Sequence, residues 1–193
     1  PSATGKAGEM LVVAEKVHWD GQAGDIIRRV FQQPEPMFLQ SEPMFDLVFI
    51  EKTNFGKLFE SHRHIFIFEL DPTLARATIE VNRDVFSYPQ MLIRVKSPDL
   101  ETFSRLMDAN AGDFTAHYLE VERIRLINAY ERMANHAARA AVQQKFGVNI
   151  VVPEGYFVAV EGDDFLWLRR TGTRDDLEMG VLISTMRYTD PTA

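Results

Sequence analysis

Residues 113–146 contain neither proline nor glycine, and that stretch constrains the fold more than any other. Leu119, Leu126, Tyr130, Met133, Ala137 and Ala141 recur at spacings of three, four or seven, which places them on one face of a helix. Phe114, Tyr118 and Val121 begin a second apolar patch beside it. Alanine, the best helix former, is dense in the second half. Asp113 suits the positive end of the helix dipole, Lys145 the negative end, and Gly147 the residue just past the terminus. The spacing predicts one long helix over about 113–146, a rod on the order of 50 Å. Its Leu119–Met133 face is predicted to be core.

The opposite side of the same segment carries Arg125, Arg132 and Arg139 seven apart, with His136 four after Arg132. These four residues are the candidate binding site. A basic stripe of this kind is either a solvated face with local pairs such as Glu122–Arg125, or a ridge that meets an anionic ligand or a partner protein.

Upstream, apolar runs and turn residues alternate. Met10–Ala14, Phe45–Ile50, Ile65–Leu70, Thr78–Asp84 and Gln90–Lys96 read as strands, and Ile65–Leu70 is apolar enough to be central. Gly21–Gln33, Thr53–Ser61 and a segment from Pro98 to about Asn110 read as helices, with Ser97 as the cap of the last. A tandem repeat, Glu35-Pro36-Met37-Phe38 and Glu42-Pro43-Met44-Phe45, is too proline-rich for a helix. Its Met and Phe side chains are expected to pack onto the domain, with an exposed contact surface as the alternative. After Gly147 the pattern turns to β: Val148–Val152, Tyr156–Val160, Phe165–Arg169 and Gly180–Tyr188, punctuated by turn chemistry. The fold class is therefore α+β, with mixed α/β layers. A mixed sheet is covered by helices including the long one, and a mainly antiparallel β segment follows. The expected division is an α/β domain at 1–146 and a β-rich segment at 147–193, the start of a second domain.

Composition removes several function classes. The net charge of −7 speaks against sequence-independent nucleic-acid binding, which needs a basic footprint. No cysteine is present, so disulfides, thiolate metal sites and cysteine nucleophiles are excluded. The chain has no apolar run of membrane-spanning length. It begins with Pro1 and not Met, so it reads as a processed or trimmed chain, and any targeting segment is expected to lie outside it. Gly-Lys-Ala-Gly at 5–8 lacks the phosphate-loop pattern, and no nucleophile-elbow or dinucleotide motif occurs. His62 and His64, with Glu60 or Glu69, form the nearest approach to a metal set, yet no third histidine is close in sequence. Paired aspartates at 163–164 and 175–176 sit in turns, where they usually cap backbone. Trp167 falls in an apolar hairpin and is expected in the core, although with Trp19, Tyr88 and Tyr156 it could line a sugar surface. No catalytic residue, metal ligand or cofactor is assigned.

The motifs SATGKAGE, FDLV with NFGKLF, SHR before IFIFEL, LEVERIRLINAYE, KFGVNIVVPEGY and DDFLWLRR occur in this order over nearly the whole chain. In them the sequence resembles an uncharacterised family of bacterial envelope lipoproteins, a domain of unknown function of anaerobic Gram-negative gut and related bacteria. The resemblance implies an extracytoplasmic location, in the periplasm or at the outer membrane. It also implies a lipid anchor on the precursor, outside this sequence, as the membrane attachment. His64 stands where that family pattern has Asn, so the resemblance lends no support to a metal site at His62 and His64. The expected function is a non-catalytic module that binds an envelope protein or an anionic small ligand, with no nucleic-acid partner. The alternative is a hydrolase of envelope or dietary polymers that uses carboxylates in an interdomain cleft.

Overall fold

A computed structural model describes residues 1–34, 42–172 and 178–186. The chain divides into two compact units, Pro1–Arg125 and Leu126–Ala193.

The first unit is built on a five-stranded sheet of β1 (Glu9–Ala14), β2 (Asp46–Glu51), β3 (His64–Leu70), β4 (Thr78–Arg83) and β5 (Met91–Ser97). The order across the sheet is β2-β1-β3-β5-β4. The first four in that order run parallel, and β4 pairs antiparallel with β5 at the edge. Short helices α1 (Lys16–Trp19) and α2 (Gln22–Phe31) join β1 to β2, and α3 (Lys57–Glu60) lies between β2 and β3. Ile65–Leu70 is thus the centre of the sheet, as its unbroken apolar run requires, because a parallel strand is buried on both faces.

Helix α2 and the long helix pack on one face. Met10, Val12, Phe66, Phe68, Ile93 and Val95 meet Ile27, Val30 and Phe31 of α2 and Phe103, Met107, Phe114, Tyr118 and Val121 of α4 (Leu100–Arg132). Phe31 is the hub: its ring lies 5.1 Å from Phe66, 5.7 Å from Tyr118 and 6.2 Å from Phe45, all edge to face. On the other face Val13, Ile65, Ile67 and Leu92 are buried against Ile50 and Phe55. Phe45, from the second copy of the proline-rich repeat, is fully buried and Met44 packs against the core; Met37 and Phe38 lie outside the described residues.

The long helix is present, but its limits and its buried face differ from the sequence reading. It starts at Leu100, where Asp99 accepts a hydrogen bond from the Thr102 amide at 2.7 Å and takes the capping role expected of Ser97. It runs through Gly112, so two predicted helices are one. It stops at Arg132, and α5 (His136–Phe146) begins after a three-residue break. The core face is Phe103–Met107–Phe114–Tyr118–Val121, of which Phe114, Tyr118 and Val121 are the patch the sequence ranks second. Leu119, Leu126 and Met133 are 41%, 53% and 53% exposed, which rules them out as core.

In the second unit, β6 (Phe157–Glu161), β7 (Phe165–Thr171) and β8 (Glu178–Ser184) form an antiparallel sheet. Ala138 and Val142 of α5 pack with Val152, Leu166 and Leu168. So α5, which the periodicity joins to the first domain, shares its core with the β segment. Residues 148–152 form no strand. They run beside the helix break, where the Asn135 amide donates to the Val152 carbonyl at 2.7 Å and the Glu154 amide to the Met133 carbonyl at 2.6 Å. The Asn135 side chain accepts from the Ala138 amide at 3.0 Å and donates to the Tyr156 carbonyl at 2.6 Å. Gly147, in the left-handed conformation, ends α5 as expected. Trp167 is not core: it is 38% exposed on the sheet face away from Leu166 and Leu168, with its indole against Gly180.

Candidate functional site

A buried group of titratable side chains in the first unit gathers at the amino ends of β1 and β3. Three features of the sequence put it there. Glu9 opens β1, the Ser61-His62-Arg63 segment turns into β3 at His64, and Glu122 lies one turn beyond Tyr118 on the buried face of α4. The segment before β1 crosses the same edge. The Thr4 amide donates to the Ser61 carbonyl at 2.8 Å, the Arg63 amide to the Thr4 carbonyl at 3.0 Å, and the Ala3 amide to the Tyr88 carbonyl at 3.0 Å. Gly5 has a φ of +96°, and a Cβ there would lie 2.3 Å from His62 Nε2, so both conformation and space require glycine.

Glu122 is the centre. Arg63 Nη1 donates to both its carboxylate oxygens at 2.9 and 3.0 Å, and His64 Nε2 lies 2.7 Å from Oε1. The Gly8 amide donates to Oε1 at 3.3 Å. Arg63 Nη2 donates to the Gly5 carbonyl, and Arg125 Nη1 donates to the Ala3 carbonyl at 3.1 Å. His62 Nε2 is paired with Glu9 at 2.8 Å. Arg63 is 6% exposed and His64 0%.

The two histidines differ in what a second proton would meet. His62 Nδ1 faces the carbonyl of His64 at 3.1 Å and its amide at 3.4 Å, so it has a partner in either protonation state. His64 Nδ1 has no hydrogen-bond partner among the described residues, and the rings of Phe45 and Tyr118 stand 6.0 and 5.3 Å from the imidazole. Burial pushes the His64 pKa down, against the upward pull of Glu122, and so favours the neutral ring. Burial pushes the Glu122 carboxyl up, but hydrogen bonds and charge from His64 and Arg63 outweigh it and hold its pKa at about 2. The hydrogen bond from His62 holds Glu9 below the usual carboxylate range.

These shifts fix a pH dependence. Glu122 has a lower pKa folded than the 4.5 of a free carboxyl, so its contribution is complete above pH 4.5 and is lost as pH falls toward 2. His64 is also depressed, from 6.5, so protonation of the unfolded chain erodes stability as pH falls below 6.5. Both act in the same direction. Urea midpoints of the first unit are expected to decline from about pH 6.5 downward and more steeply below 4.5, with Glu122 supplying roughly 2–3 kcal/mol across its range. A midpoint that is flat from pH 7 to 4 contradicts this assignment.

What this cluster can do chemically is limited by its closure. His62 and His64 are each held by a separate carboxylate, and Glu69 lies at the far end of β3, so the suggested metal set does not assemble. No group of three or more metal-ligating side chains occurs among the described residues. In open parallel sheets ligands bind beyond the carboxyl ends of the strands, where the strand order reverses. Here the order reverses between β1 and β3, and the cluster sits at their amino ends. Near the carboxyl ends of β1 and β2 an open depression is lined by Glu15, Lys16, Val17, Glu51, Lys52 and Thr53. Trp19 stacks on Phe49 at 5.3 Å with Arg28 over its ring at 4.0 Å, a packing arrangement within the first unit.

The four predicted binding residues are placed separately. Arg125 belongs to the first unit and holds the Ala3 carbonyl. Arg132, His136 and Arg139 belong to the second, on either side of the helix break. Arg139 donates to Glu131 at 2.9 Å and to Asn149 at 2.8 Å. Arg132 and His136 are exposed and make no side-chain hydrogen bond or ion pair among the described residues. The sequence missed Glu122 as an anchor, because a glutamate on a charged helix shows nothing of the Arg63 and His64 that reach it from 58 or 59 residues away.

Residues 3–131 match the family model of a domain of unknown function, DUF8532. The chain belongs to the DUF8532 family. Its remaining part, residues 135–193, matches a second domain of unknown function, DUF4837. The two matches meet at the helix break, so the DUF8532 match holds the whole parallel sheet, the Glu122 cluster and nearly all of α4. No curated protein and no solved structure matches the chain.

Proposed function

We propose that this protein is a non-catalytic binding module of the bacterial cell envelope. It is carried outside the cytoplasm, in the periplasm or at the outer membrane, by a lipid anchor on its precursor. Its partner is an envelope protein or an anionic small ligand. The observation that carries the reading is the contrast between two sets of polar side chains. In the first unit Glu9, His62, Arg63, His64 and Glu122 are committed to one another and to backbone. In the second, Arg132 and His136 stand exposed without an intramolecular partner among the described residues. An exposed guanidinium such as that of Arg132 meets carboxylates or phosphates without first giving up an internal bond, and the His136 ring beside it can add a hydrogen bond. The motif order of the envelope lipoproteins supports the location.

The test uses the full-length precursor in its own host. Metabolic labelling with palmitate and membrane fractionation check the anchor. Crosslinking in intact envelopes checks the partner, with Arg132→Glu as the variant. A single dominant crosslinked species is expected, reduced at least tenfold in the variant while its thermal unfolding is unchanged. An unlabelled protein defeats the location. A crosslink that survives Arg132→Glu defeats the binding assignment. Arg139 is unsuitable for the test, since its charge is paired with Glu131.

A further inference from the structure

The segment Pro1–Gly8 lies across the edge of the sheet as a strap, and its ties converge on one place. Thr4, Gly5 and Gly8 are joined to Ser61, Arg63 and Glu122, and Ala3 to Tyr88 and Arg125. Glu122 Oε1 is shared by the Gly8 amide, Arg63 and His64. A change at His64 is therefore passed to the strap through one oxygen atom and one guanidinium.

We propose that His64 is the trigger of an acid-sensitive latch: the neutral ring holds the Pro1–Gly8 strap closed, and protonation of its Nδ1 releases it. The neutral ring donates Nε2–H to Glu122 and leaves Nδ1 as a bare acceptor among Phe45 and Tyr118. A proton on Nδ1 would be a buried donor without an acceptor, which costs far more than an unmade acceptor bond. It would also set a second cation beside Arg63 on a single carboxylate. To solvate that proton the ring must shift toward the sheet edge, and that breaks the Glu122 contacts that hold Gly8 and, through Arg63, Gly5. His62 is built the other way, with a partner on each ring nitrogen, the His64 carbonyl at Nδ1 and Glu9 at Nε2, and neither partner lies on the strap.

The charged groups that face this site come from every element around it: Lys6 on the strap, Glu9 on β1, His62 and Arg63 ahead of β3, and Glu122 and Arg125 on α4. The latch is separate from the binding proposal, which rests on the second unit.

Amide hydrogen exchange of the full chain tests it, corrected for the intrinsic pH dependence of exchange. Between pH 7.5 and 5 the Ala3 and Thr4 amides are expected to lose protection at least tenfold while the amides of β5 keep theirs. His64→Gln, whose amide can still donate to Glu122 but cannot titrate, should abolish the response, and His62→Gln should retain it. In the unaltered chain, NMR titration of the His64 ring should follow the same pH curve as the loss of strap protection. That measurement decides the matter even if His64→Gln does not fold. Four results overturn the latch: no pH response at Ala3 and Thr4, a response that persists in His64→Gln, simultaneous loss of protection in β5, or a His64 ring that titrates while the strap stays closed.

Discussion

Replacing Glu122 with alanine is expected to destabilise the first unit by about 3–5 kcal/mol, because it leaves Arg63 buried without its counter-charge. Arg63 is 6% exposed, and among the described residues its other acceptors are the backbone carbonyls of Thr4 and Gly5. The magnitude comes from the stranded cation and not from the worth of the pair itself, since desolvating two ions offsets much of their attraction. A second variant separates the two. Arg63→Met combined with Glu122→Leu removes both charges and should recover most of the loss. Urea unfolding followed by a probe in the first unit measures both, and that unit must be read alone because a chain of two units need not melt in one step. If Glu122→Ala costs less than about 1 kcal/mol, as for an exposed pair, the centre of the cluster has been misassigned.

The second large effect belongs to the aromatic hub. Phe31→Ala removes a fully buried ring that meets Phe45, Phe66 and Tyr118, and is expected to cost about 3–5 kcal/mol. Leu126→Ala, on the face that periodicity marks as core, should cost under about 0.5 kcal/mol, since Leu126 is 53% exposed. Each chevron or equilibrium titration is a direct contrast between the two readings of the long helix. Equal losses at the two positions would restore Leu119–Met133 as the buried face.

Why the sequence chose the wrong face is physical. Two apolar stripes run along α4, and an amphipathic pattern says that a stripe exists, not which neighbour it meets. Phe114, Tyr118 and Val121 win because Phe31, Phe45 and Phe66 present rings at the height they reach. Tyr118 also needs an acceptor for its hydroxyl, and finds the Ile65 carbonyl at 2.9 Å. The expected end of the long helix failed for a related reason. Nothing in Met133-Ala134-Asn135 forbids a helix, and the break is held by contacts to Val152, Glu154 and Tyr156 some twenty residues on. Asparagine at position 135 offers a cap, but asparagine within a helix costs only tenths of a kilocalorie, so the signal is faint.

Local chemistry alone determined the strands of the two described sheets, though it added one at 148–152 that does not form, and also the α+β class, the central place of Ile65–Leu70, the exclusion of thiol chemistry and the turn at Gly147. Each follows from properties that travel with the residues: period-two or unbroken apolar runs, the left-handed tolerance of glycine, the absence of cysteine. Only the tertiary structure decided which stripe of α4 is buried, where that helix stops, that α5 packs with the antiparallel sheet, and that Arg63 and His64 close on Glu122. Those outcomes depend on groups from under 20 to almost 90 residues apart in sequence meeting at a few ångströms, and their cost or gain exists only once burial has lowered the local dielectric.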